Sequence, residues 1–346
     1  MSDDKPGLRE ALAAVVGGRD LSAAEMTAVV GRIMDGEATP AQVGALLTAL
    51  RMKGETVDEV VGAAQAMRDR MLRLSAPGEI LLDTCGTGGD GSGSVNISTL
   101  ASFIVAACGV KVAKHGNRAL SSRSGSHDVI EALGIDPAPS PELARRCLDE
   151  ANLCFMFAPT FHAATRHAAG PRRELGFRTF FNLLGPLTNP ADTRYHVNGV
   201  FAVERCEFVA RAHMQLGSKR ALVLHGTGGM DEIAPAGPTW VAELRDGQVT
   251  KYQISPKDFG LAEADPAGLR GGEAADNARL LRQTLDGAPG AYRSTALMTA
   301  AACLYAVGKA DDWRAGCEQA VAALDGGGAS AVVEQLRTLS PVRPAS

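Results

Sequence analysis

Two polar loops in the first half of the chain contain the residue types that bind anionic groups. The first follows an apolar run of Ile80, Leu81 and Leu82 and reads Asp83-Thr84-Cys85-Gly86-Thr87-Gly88-Gly89-Asp90-Gly91-Ser92-Gly93-Ser94. Because glycine has no Cβ, the backbone N–H groups of such a loop can come close to an anion. A helix predicted to begin with Val95-Asn96-Ile97-Ser98-Thr99-Leu100 would point its positive N-terminus at the same anion. The sequence therefore predicts a strand that enters a phosphate-binding turn.

The second polar loop follows the next predicted strand. Residues 110–113 form a short apolar strand, and the loop after it reads Lys114-His115-Gly116-Asn117-Arg118, followed by Ser121, Ser122, Arg123, Ser124, Gly125 and Ser126. One helix, predicted to end at Gly109, links the two strands. Because parallel strands end at the same edge of a sheet, we expect both loops to meet over one crevice.

The composition narrows the possible classes of protein. The chain has 346 residues, 45% of them hydrophobic, and a net charge of -4 with a pI of about 6.0. It can bury a large core, and it has no basic excess to hold nucleic acid or a membrane surface. Seven scattered cysteines without a C-x-x-C pair are typical of reduced thiols in a cytoplasm. With no leader pattern and no run of membrane-spanning length, we expect a soluble, cytoplasmic protein.

The N-terminal region has the pattern of packed helices. Three capping motifs, Ser22-x-x-Glu25, Thr39-Pro40-Ala41-Gln42 and Thr56-x-x-Glu59, each precede apolar residues at helical spacing. Residues 1–76 are therefore predicted to form a small all-helical domain, joined by a segment near 170–190. Residues 77–346 alternate short apolar runs with amphipathic helices, which predicts a large α/β domain with a mostly parallel central sheet.

Further elements are predicted within the α/β domain. Strands are expected at 153–157, 197–203 and 221–224, and an antiparallel hairpin at 239–254 with its turn at Asp246-Gly247. A helix from Thr160 is predicted to contain His162 and His167 and to end at Gly170-Pro171. Residues 273–339 are predicted to be mostly helical.

The first loop indicates a particular family only when it is taken together with the motifs that follow it. It lacks the G-x-x-x-x-G-K-[ST] spacing of a nucleoside-triphosphate loop and the G-x-G-x-x-G spacing of a dinucleotide fold. Nevertheless, the succession of motifs closely resembles the anthranilate phosphoribosyltransferase family over nearly the whole chain. The resemblance lies in Gly86-Thr87-Gly88-Gly89-Asp90, Asn96-Ile97-Ser98-Thr99, Lys114 to Arg118, Ser121 to Ser126, Arg172-Arg173-Glu174-Leu175-Gly176, Phe181 to Pro190, and Asp231-Glu232.

That resemblance implies a fold of the nucleoside phosphorylase and phosphoribosyltransferase type, and a reaction. The family transfers the phosphoribosyl group of phosphoribosyl pyrophosphate to the amine of anthranilate, giving N-(5-phosphoribosyl)anthranilate and pyrophosphate in tryptophan biosynthesis. The residues implied to bind the donor are Gly86, Gly89, Asp90, Ser94, Asn96, Ile97, Ser98, Thr99, Lys114, His115, Gly116, Asn117, Arg118, Ala119, Leu120, Ser121, Ser122 and Ser126.

The resemblance also implies metal ligands and an assembly. Asp231 and Glu232 are expected to bind magnesium, with the Ser98 hydroxyl reaching a second ion, so that two Mg²⁺ ions per subunit are expected. Hard oxygen ligands, completed by substrate oxygens and water, are what magnesium prefers. The family's usual assembly implies a homodimer formed through the helical domain.

The acceptor site follows from the chemistry of anthranilate. Its carboxylate suits a planar cationic fork, and Arg172 stands at the family's position for it. Asn117 is expected to accept a hydrogen bond from the amine, and Gly86 to leave room for the ring. His115 and His162 match family positions near the acceptor. A neutral aryl amine has a free lone pair, so no residue is assigned as a general acid or base. At His127 a small residue is expected by analogy, and His127 and His167 are assigned structural roles.

Two other functions stay open at this point. A pyrimidine-nucleoside phosphorylase would have a similar fold, although residues 114–117 and Arg172 favour an anthranilate site. A non-catalytic relative that binds nucleic acid would have a basic surface and would lack metal or acceptor residues. The acidic pI, Arg172 and the acids at 231 and 232 argue against it.

Overall fold

A computed structural model describes residues 7–88, 91–118 and 123–342. They form one seven-stranded sheet and fifteen α-helices. The strands are β1 Leu81–Gly86, β2 Lys111–Gly116, β3 Leu153–Phe157, β4 Tyr195–Gly199, β5 Arg220–Gly226, β6 Thr239–Arg245 and β7 Gln248–Ile254. The helices are α1 Leu8–Val16, α2 Ala23–Met34, α3 Pro40–Lys53, α4 Val57–Arg68, α5 Ile97–Ala107, α6 Ser126–Ala132, α7 Pro141–Ala151, α8 Ala158–Phe161, α9 Arg166–Leu175, α10 Phe181–Leu184, α11 Glu204–Gln215, α12 Ala274–Leu285, α13 Ala291–Ala306, α14 Trp313–Asp325 and α15 Gly328–Leu339.

The sheet is mostly parallel, as predicted. Its order is β3-β2-β1-β4-β5-β6-β7, and the first five strands run parallel. The last two form the predicted antiparallel hairpin, in which Asp246 and Gly247 have φ of 51° and 74°. Two consecutive residues with positive φ match the right-handed twist of the two strands. The carboxyl ends of β1, β2, β4 and β5 therefore share one edge.

All three predicted capping boxes begin helices in the N-terminal region. Ser22, Thr39 and Thr56 each accept a hydrogen bond from the backbone N–H three residues later, and the acid or amide at that position binds back. Each cap contributes on the order of 1 kcal/mol by satisfying backbone donors that the helix leaves free. The motif therefore sets where α2, α3 and α4 begin.

Two hydrophobic clusters form the core. One lies between the sheet and α5, α13 and their neighbouring helices. The other contains the N-terminal helices together with α9, α10 and α11, and it reaches Val223 and Ala242 in the sheet. The N-terminal helices are thus packed against the α/β unit through α4, α9 and α11.

The second polar loop begins later than predicted. Lys114, His115 and Gly116 belong to β2, because the ladder with β3 continues to Gly116↔Phe157. Lys114 and His115 are only 2% and 5% exposed, so the prediction that they lie in a loop is wrong. The hydrogen bonds of the ladder outweigh the cost of burying these polar side chains, because Lys114 Nζ and His115 Nδ1 find partners inside the protein.

The segment around Gly170-Pro171 also differs from the prediction. No single helix begins at Thr160: the short α8 ends at Phe161, a 3₁₀ turn spans Ala163–Thr165, and α9 follows. Pro171 lies inside α9 without ending it. Because α9 packs against α2 and α3, tertiary contacts compensate for the single lost N–H donor.

Two strands have bounds other than those predicted. β4 begins at Tyr195 and ends at Gly199, where the Asp231 backbone passes so close that a Cβ would overlap its carbonyl. β5 reaches Gly226 because its last residues pair with Trp240 and Thr239 of β6.

The cysteines and the helix lengths agree with expectation. All seven cysteines are free. Within the described ranges, every helix is too short or too polar to cross a membrane.

Candidate active site at the carboxyl edge of the sheet

The Asp231 carboxylate packs against the end of β1. Its Oδ2 accepts a hydrogen bond of 2.8 Å from the Gly88 N–H. A Cβ atom at Gly86 would overlap the same carboxylate. Asp231 is only 9% exposed, which distinguishes it from the solvated acids of an ordinary turn. The structure thus brings the predicted metal ligand Asp231 onto the predicted diphosphate turn.

Glu232 faces the same region from the next position. Glu232 is half-buried. The burial of Tyr292, together with the Glu232 carboxylate, raises the pKa of the Tyr292 hydroxyl. That hydroxyl donates to the Asn96 carbonyl at 3.2 Å, so Glu232 lies near the start of α5. Asp231 thus contacts the end of β1, while Glu232 acts electrostatically on Tyr292, whose hydroxyl contacts the residue before α5.

The N-terminus of α5 is held by a network that the sequence did not reveal. The Asn96 amide donates to the Ser124 carbonyl at 3.4 Å and accepts from the Asn277 amide at 3.0 Å. Ile97 and Thr99 are fully buried, so their side chains are not exposed to a ligand at this edge. The first N–H groups of a helix and its dipole favour an anion at this end.

Lys114 joins three of these elements inside the protein. Its Nζ donates to the Thr84 carbonyl of β1 and, at 3.1 Å, to the Ser98 hydroxyl of α5. The ammonium therefore stabilises the positions of β1 and α5 and places positive charge beneath the phosphate turn. Ser98, half-buried, keeps its second lone pair for another partner.

The loop after β2 rests on α6. A Cβ at Gly116 would lie 2.6 Å from the Ser126 hydroxyl and 3.0 Å from the His127 ring. Asn117 is exposed and accepts the Arg118 N–H at 2.8 Å. The Arg118 guanidinium pairs with two acids of α6, Asp128 at 2.9 Å and Glu131 at 2.7 Å, so its charge is already partnered.

His127 occupies the position where a small residue was expected. It is fully buried against Phe155 and Phe157, and burial lowers its pKa to about 3. A neutral ring in an apolar setting fits the predicted structural role. His167, for which the same role was predicted, contacts Gly36 at the end of α2.

His115 and His162 form a buried pair. Their ring centroids are 5.0 Å apart, and the Nε2 atoms of both lack a partner among the described residues. His115 Nδ1 lies 3.2 Å from the Gly185 carbonyl, which makes Nδ1 the protonated nitrogen and Nε2 an acceptor. Burial lowers the pKa of His115 and brings that of His162 to about 3, so both rings are neutral at pH 7.

Arg172 has no ion pair or hydrogen bond to any residue that the structure describes. Its guanidinium stacks over the Phe181 ring at 4.8 Å, and burial lowers its pKa. Phe181 begins α10, which leads directly to Gly185 and hence to His115. A desolvated, unpaired guanidinium beside an aromatic ring is suited to a planar carboxylate.

The remaining predicted site residues fall into two groups. Ser94 is half-buried, and its segment forms an isolated bridge with Arg270. The others lie outside the described residues: Gly89, Asp90, Ala119, Leu120, Ser121 and Ser122.

The residues present suit magnesium. Among the described residues no group of three or more His, Cys, Asp or Glu side chains could hold a metal by itself. Magnesium, however, is usually bound by one or two carboxylates together with substrate phosphates. Asp231, Glu232 and Ser98 offer that donor set at the edge of the phosphate turn.

Comparisons with known proteins decide the family. The model of the glycosyl transferase family a/b domain matches residues 78–330, and that of its helical bundle domain matches residues 9–71. An anthranilate phosphoribosyltransferase from Myxococcus xanthus is 52% identical over 332 residues, 94% of this chain and 98% of the relative. The chain belongs to the anthranilate phosphoribosyltransferase family.

Solved structures of the family agree in fold. The enzyme from Thermus thermophilus has a TM-score of 0.90 and 41% identity, covering 95% of this chain and 98% of that one. The enzyme from Saccharomyces cerevisiae, in complex with PRPP and Mg, has a TM-score of 0.87 and 26% identity, covering 96% and 97%. The predicted fold class is confirmed, and neither the phosphorylase nor the nucleic-acid-binding alternative is favoured.

Proposed function

We propose that this chain transfers the phosphoribosyl group of phosphoribosyl pyrophosphate to the amine of anthranilate, releasing pyrophosphate, as a step of tryptophan biosynthesis. The observation that supports it most is the placement of the Asp231 carboxylate on the Gly86 to Gly88 turn. One sheet edge thereby offers backbone donors for a diphosphate and a carboxylate for its counter-ion.

The donor would be held by backbone groups and buried charge. The helix dipole of α5 would favour an anion at this edge, whereas the N–H groups of Thr87 and Gly88 already donate to the Gly199 carbonyl and to Asp231. Lys114 lies beneath them and supports Thr84 and Ser98. Preorganised dipoles of this kind stabilise charge as it develops on a leaving diphosphate without having to reorient.

Magnesium is the cofactor we propose, held by Asp231 and Glu232, with Ser98 at a second ion. When bound, it would neutralise charge on the diphosphate and so ease the breaking of the bond to the sugar. The support is the oxygen donor set described above and the presence of Mg in the yeast complex. We further propose that each subunit binds two Mg²⁺ ions.

Anthranilate would be positioned by Arg172 and its surroundings. The guanidinium fork would bind the carboxylate, and the neutral His115 Nε2 and the Asn117 amide would face the amine. Both histidines are neutral, and the amine already has a free lone pair, so the protein's task is positioning. We therefore assign no general base.

Three further features are part of this proposal. We propose a division into a helical domain at 1–76, joined by residues near 170–190, and a catalytic domain at 77–346. We also propose a homodimer formed through the helical domain and a cytoplasmic location. Each rests on the sequence patterns and family resemblance described above.

The loss of anthranilate fluorescence tests the function. Purified protein with phosphoribosyl pyrophosphate and magnesium should consume anthranilate and release pyrophosphate, and omitting either component should stop the reaction. Parallel incubations with thymidine or uridine and phosphate test the phosphorylase alternative. Folded protein that leaves anthranilate unchanged under all conditions would refute the proposal.

A further inference from the structure

The hydrogen-bond ladder between β1 and β2 stops early. Although both strands are fully described, they pair only at Leu81↔Lys111 and Leu82↔Val112. On its other side, β1 stays paired with β4 as far as Gly86↔Gly199, and β2 stays paired with β3 as far as Gly116↔Phe157. The sheet therefore opens along one seam, at the edge that contains the proposed donor site.

Two buried side chains fill this seam. Asp83 is 0% exposed, and its Oδ1 accepts the backbone N–H of His115 at 3.3 Å. Asn189 is 2% exposed, and its amide donates to the Ala113 carbonyl at 2.8 Å. These backbone groups face β1, where a regular ladder would have satisfied them. The side chains thus replace the missing ladder bonds, and we call Asp83 and Asn189 the seam pair.

Lys114 crosses the seam. Its buried side chain reaches from β2 to the Thr84 carbonyl of β1 and to the Ser98 hydroxyl of α5. Burial raises the pKa of the Asp83 carboxyl, while the Asn189 amide and the electrostatic effects of His115 and Lys114 favour its charged form. The hydrogen bonds from Lys114 therefore span the part of the seam where the ladder between β1 and β2 is missing.

Asn189 connects the seam to the acceptor side. It lies in the segment after α10, whose Gly185 carbonyl contacts His115 Nδ1 at 3.2 Å. Its own Oδ1 accepts the Ala191 N–H at 2.9 Å, which fixes the direction of the amide. The Asn189 side chain therefore links β2 to the segment that begins at Phe181, whose ring lies against the Arg172 guanidinium.

We propose that Asp83 and Asn189 are positioning residues for the transfer reaction. They fix the spacing between the ends of β1 and β2. They thereby fix the positions of Lys114 and His115 relative to the donor and the acceptor. This inference rests on the proposed function. The pair acts as a unit because one carboxylate and one amide face each other in the seam.

An exchange of the two side chains tests the pair. Asp83→Asn and Asn189→Asp are nearly isosteric, but the first replaces the carboxylate that accepts the His115 N–H by a neutral amide. The second removes the donor to the Ala113 carbonyl and places two carboxylates in a dry seam. We expect each to lower kcat/KM for phosphoribosyl pyrophosphate by roughly tenfold or more. The double variant Asp83→Asn/Asn189→Asp restores one carboxylate and one amide, and we expect it to recover about fivefold or more over Asn189→Asp.

A buried carboxylate elsewhere in the sheet provides the matched control. Glu243 of β6 is 7% exposed and accepts from the Tyr252 and Tyr305 hydroxyls at 2.7 Å and 3.1 Å. Glu243→Gln should lower the unfolding temperature while leaving kcat and both KM values near those of the wild type. A lower unfolding temperature with unchanged kinetics in this control would show that a loss of stability alone does not lower the activity.

Five outcomes are distinguished. Recovery in the double variant supports the seam pair. Single variants with wild-type kcat/KM overturn it, as does a double variant in which the two losses simply multiply. If Asn189→Asp does not fold, a folded double variant supports the seam pair, and a double variant that also fails to fold overturns it. Wild-type protein that does not consume anthranilate would contradict the proposed function instead.

Discussion

The Gly88 N–H donates a hydrogen bond of 2.8 Å to the Asp231 carboxylate, across 143 positions of sequence. This bond joins the turn after β1 to the loop after β5. The Gly86 Cα lies against the same carboxylate, so the absence of a side chain at residue 86 is a steric requirement. A metal ligand is thereby fixed beside the backbone donors of the phosphate turn.

Gly86→Ala should displace the Asp231 carboxylate, because the new methyl group would occupy its space. We expect kcat/KM for phosphoribosyl pyrophosphate to fall by roughly a hundredfold. Steady-state kinetics at varied donor concentration measure this. Gly44→Ala in α3, where a Cβ meets nothing within 4 Å, is the matched control and should keep wild-type kinetics. An active Gly86→Ala enzyme would show that Asp231 need not lie there.

Asp231→Asn should weaken the use of magnesium. The amide keeps the size of the side chain but loses the charge that a hard cation requires. The magnesium concentration for half-maximal rate should rise by about tenfold or more, with little change in KM for anthranilate. Asp246→Asn in the exposed hairpin turn is the control. An unchanged magnesium dependence would remove Asp231 from the metal site.

Arg172→Ala should mainly weaken anthranilate use, because it removes the unpaired guanidinium beside Phe181. We expect KM for anthranilate to rise by roughly tenfold or more, while KM for the donor stays within about twofold. Arg172→Lys should fall between, since an ammonium lacks the planar fork. Arg173→Ala, at the exposed next position, serves as control. Wild-type saturation by anthranilate in Arg172→Ala would contradict the acceptor assignment.

Acid should destabilise the fold through its buried histidines. Burial lowers the pKa of His127, His162 and His196 to about 3, whereas an unfolded histidine titrates near 6.5. The unfolded chain therefore binds protons that the folded chain does not, so stability is complete above about pH 6.5 and falls as pH drops toward 3. At pH 5.5 each residue should cost roughly 1.4 kcal/mol. Urea unfolding at pH 7.5 and 5.5 measures it. Equal free energies of unfolding would show that these rings are accessible to protons in the native state.

The sequence predicted those features of the fold whose physical cause lies in residues adjacent in sequence. The capping boxes at Ser22, Thr39 and Thr56 set the starts of three helices, and Asp246-Gly247 set the hairpin turn. The alternation of strands and helices likewise indicated a mostly parallel sheet. The family motifs indicated Asp231 and Arg172, which the structure places beside the phosphate turn and beside Phe181.

Features that depend on distant contacts could not be predicted in this way. Lys114 and His115 look like loop residues, but their pairing with β3 places them in a strand. The sequence places Asp83 at the start of a polar turn, and only the early end of the β1–β2 ladder shows that it fills a seam with Asn189. The passage of the Asp231 backbone over Gly199, which leaves no room for a side chain there, is also a contact between residues distant in sequence.

A crystal structure with phosphoribosyl pyrophosphate, magnesium and anthranilate would test the central claim most directly. We expect the diphosphate within hydrogen-bonding distance of the N–H groups of the turn after Gly86, with magnesium on Asp231. The anthranilate carboxylate should lie on Arg172, with its amine facing the sugar. A diphosphate bound away from this edge, or a metal without contact to Asp231 and Glu232, would contradict the account.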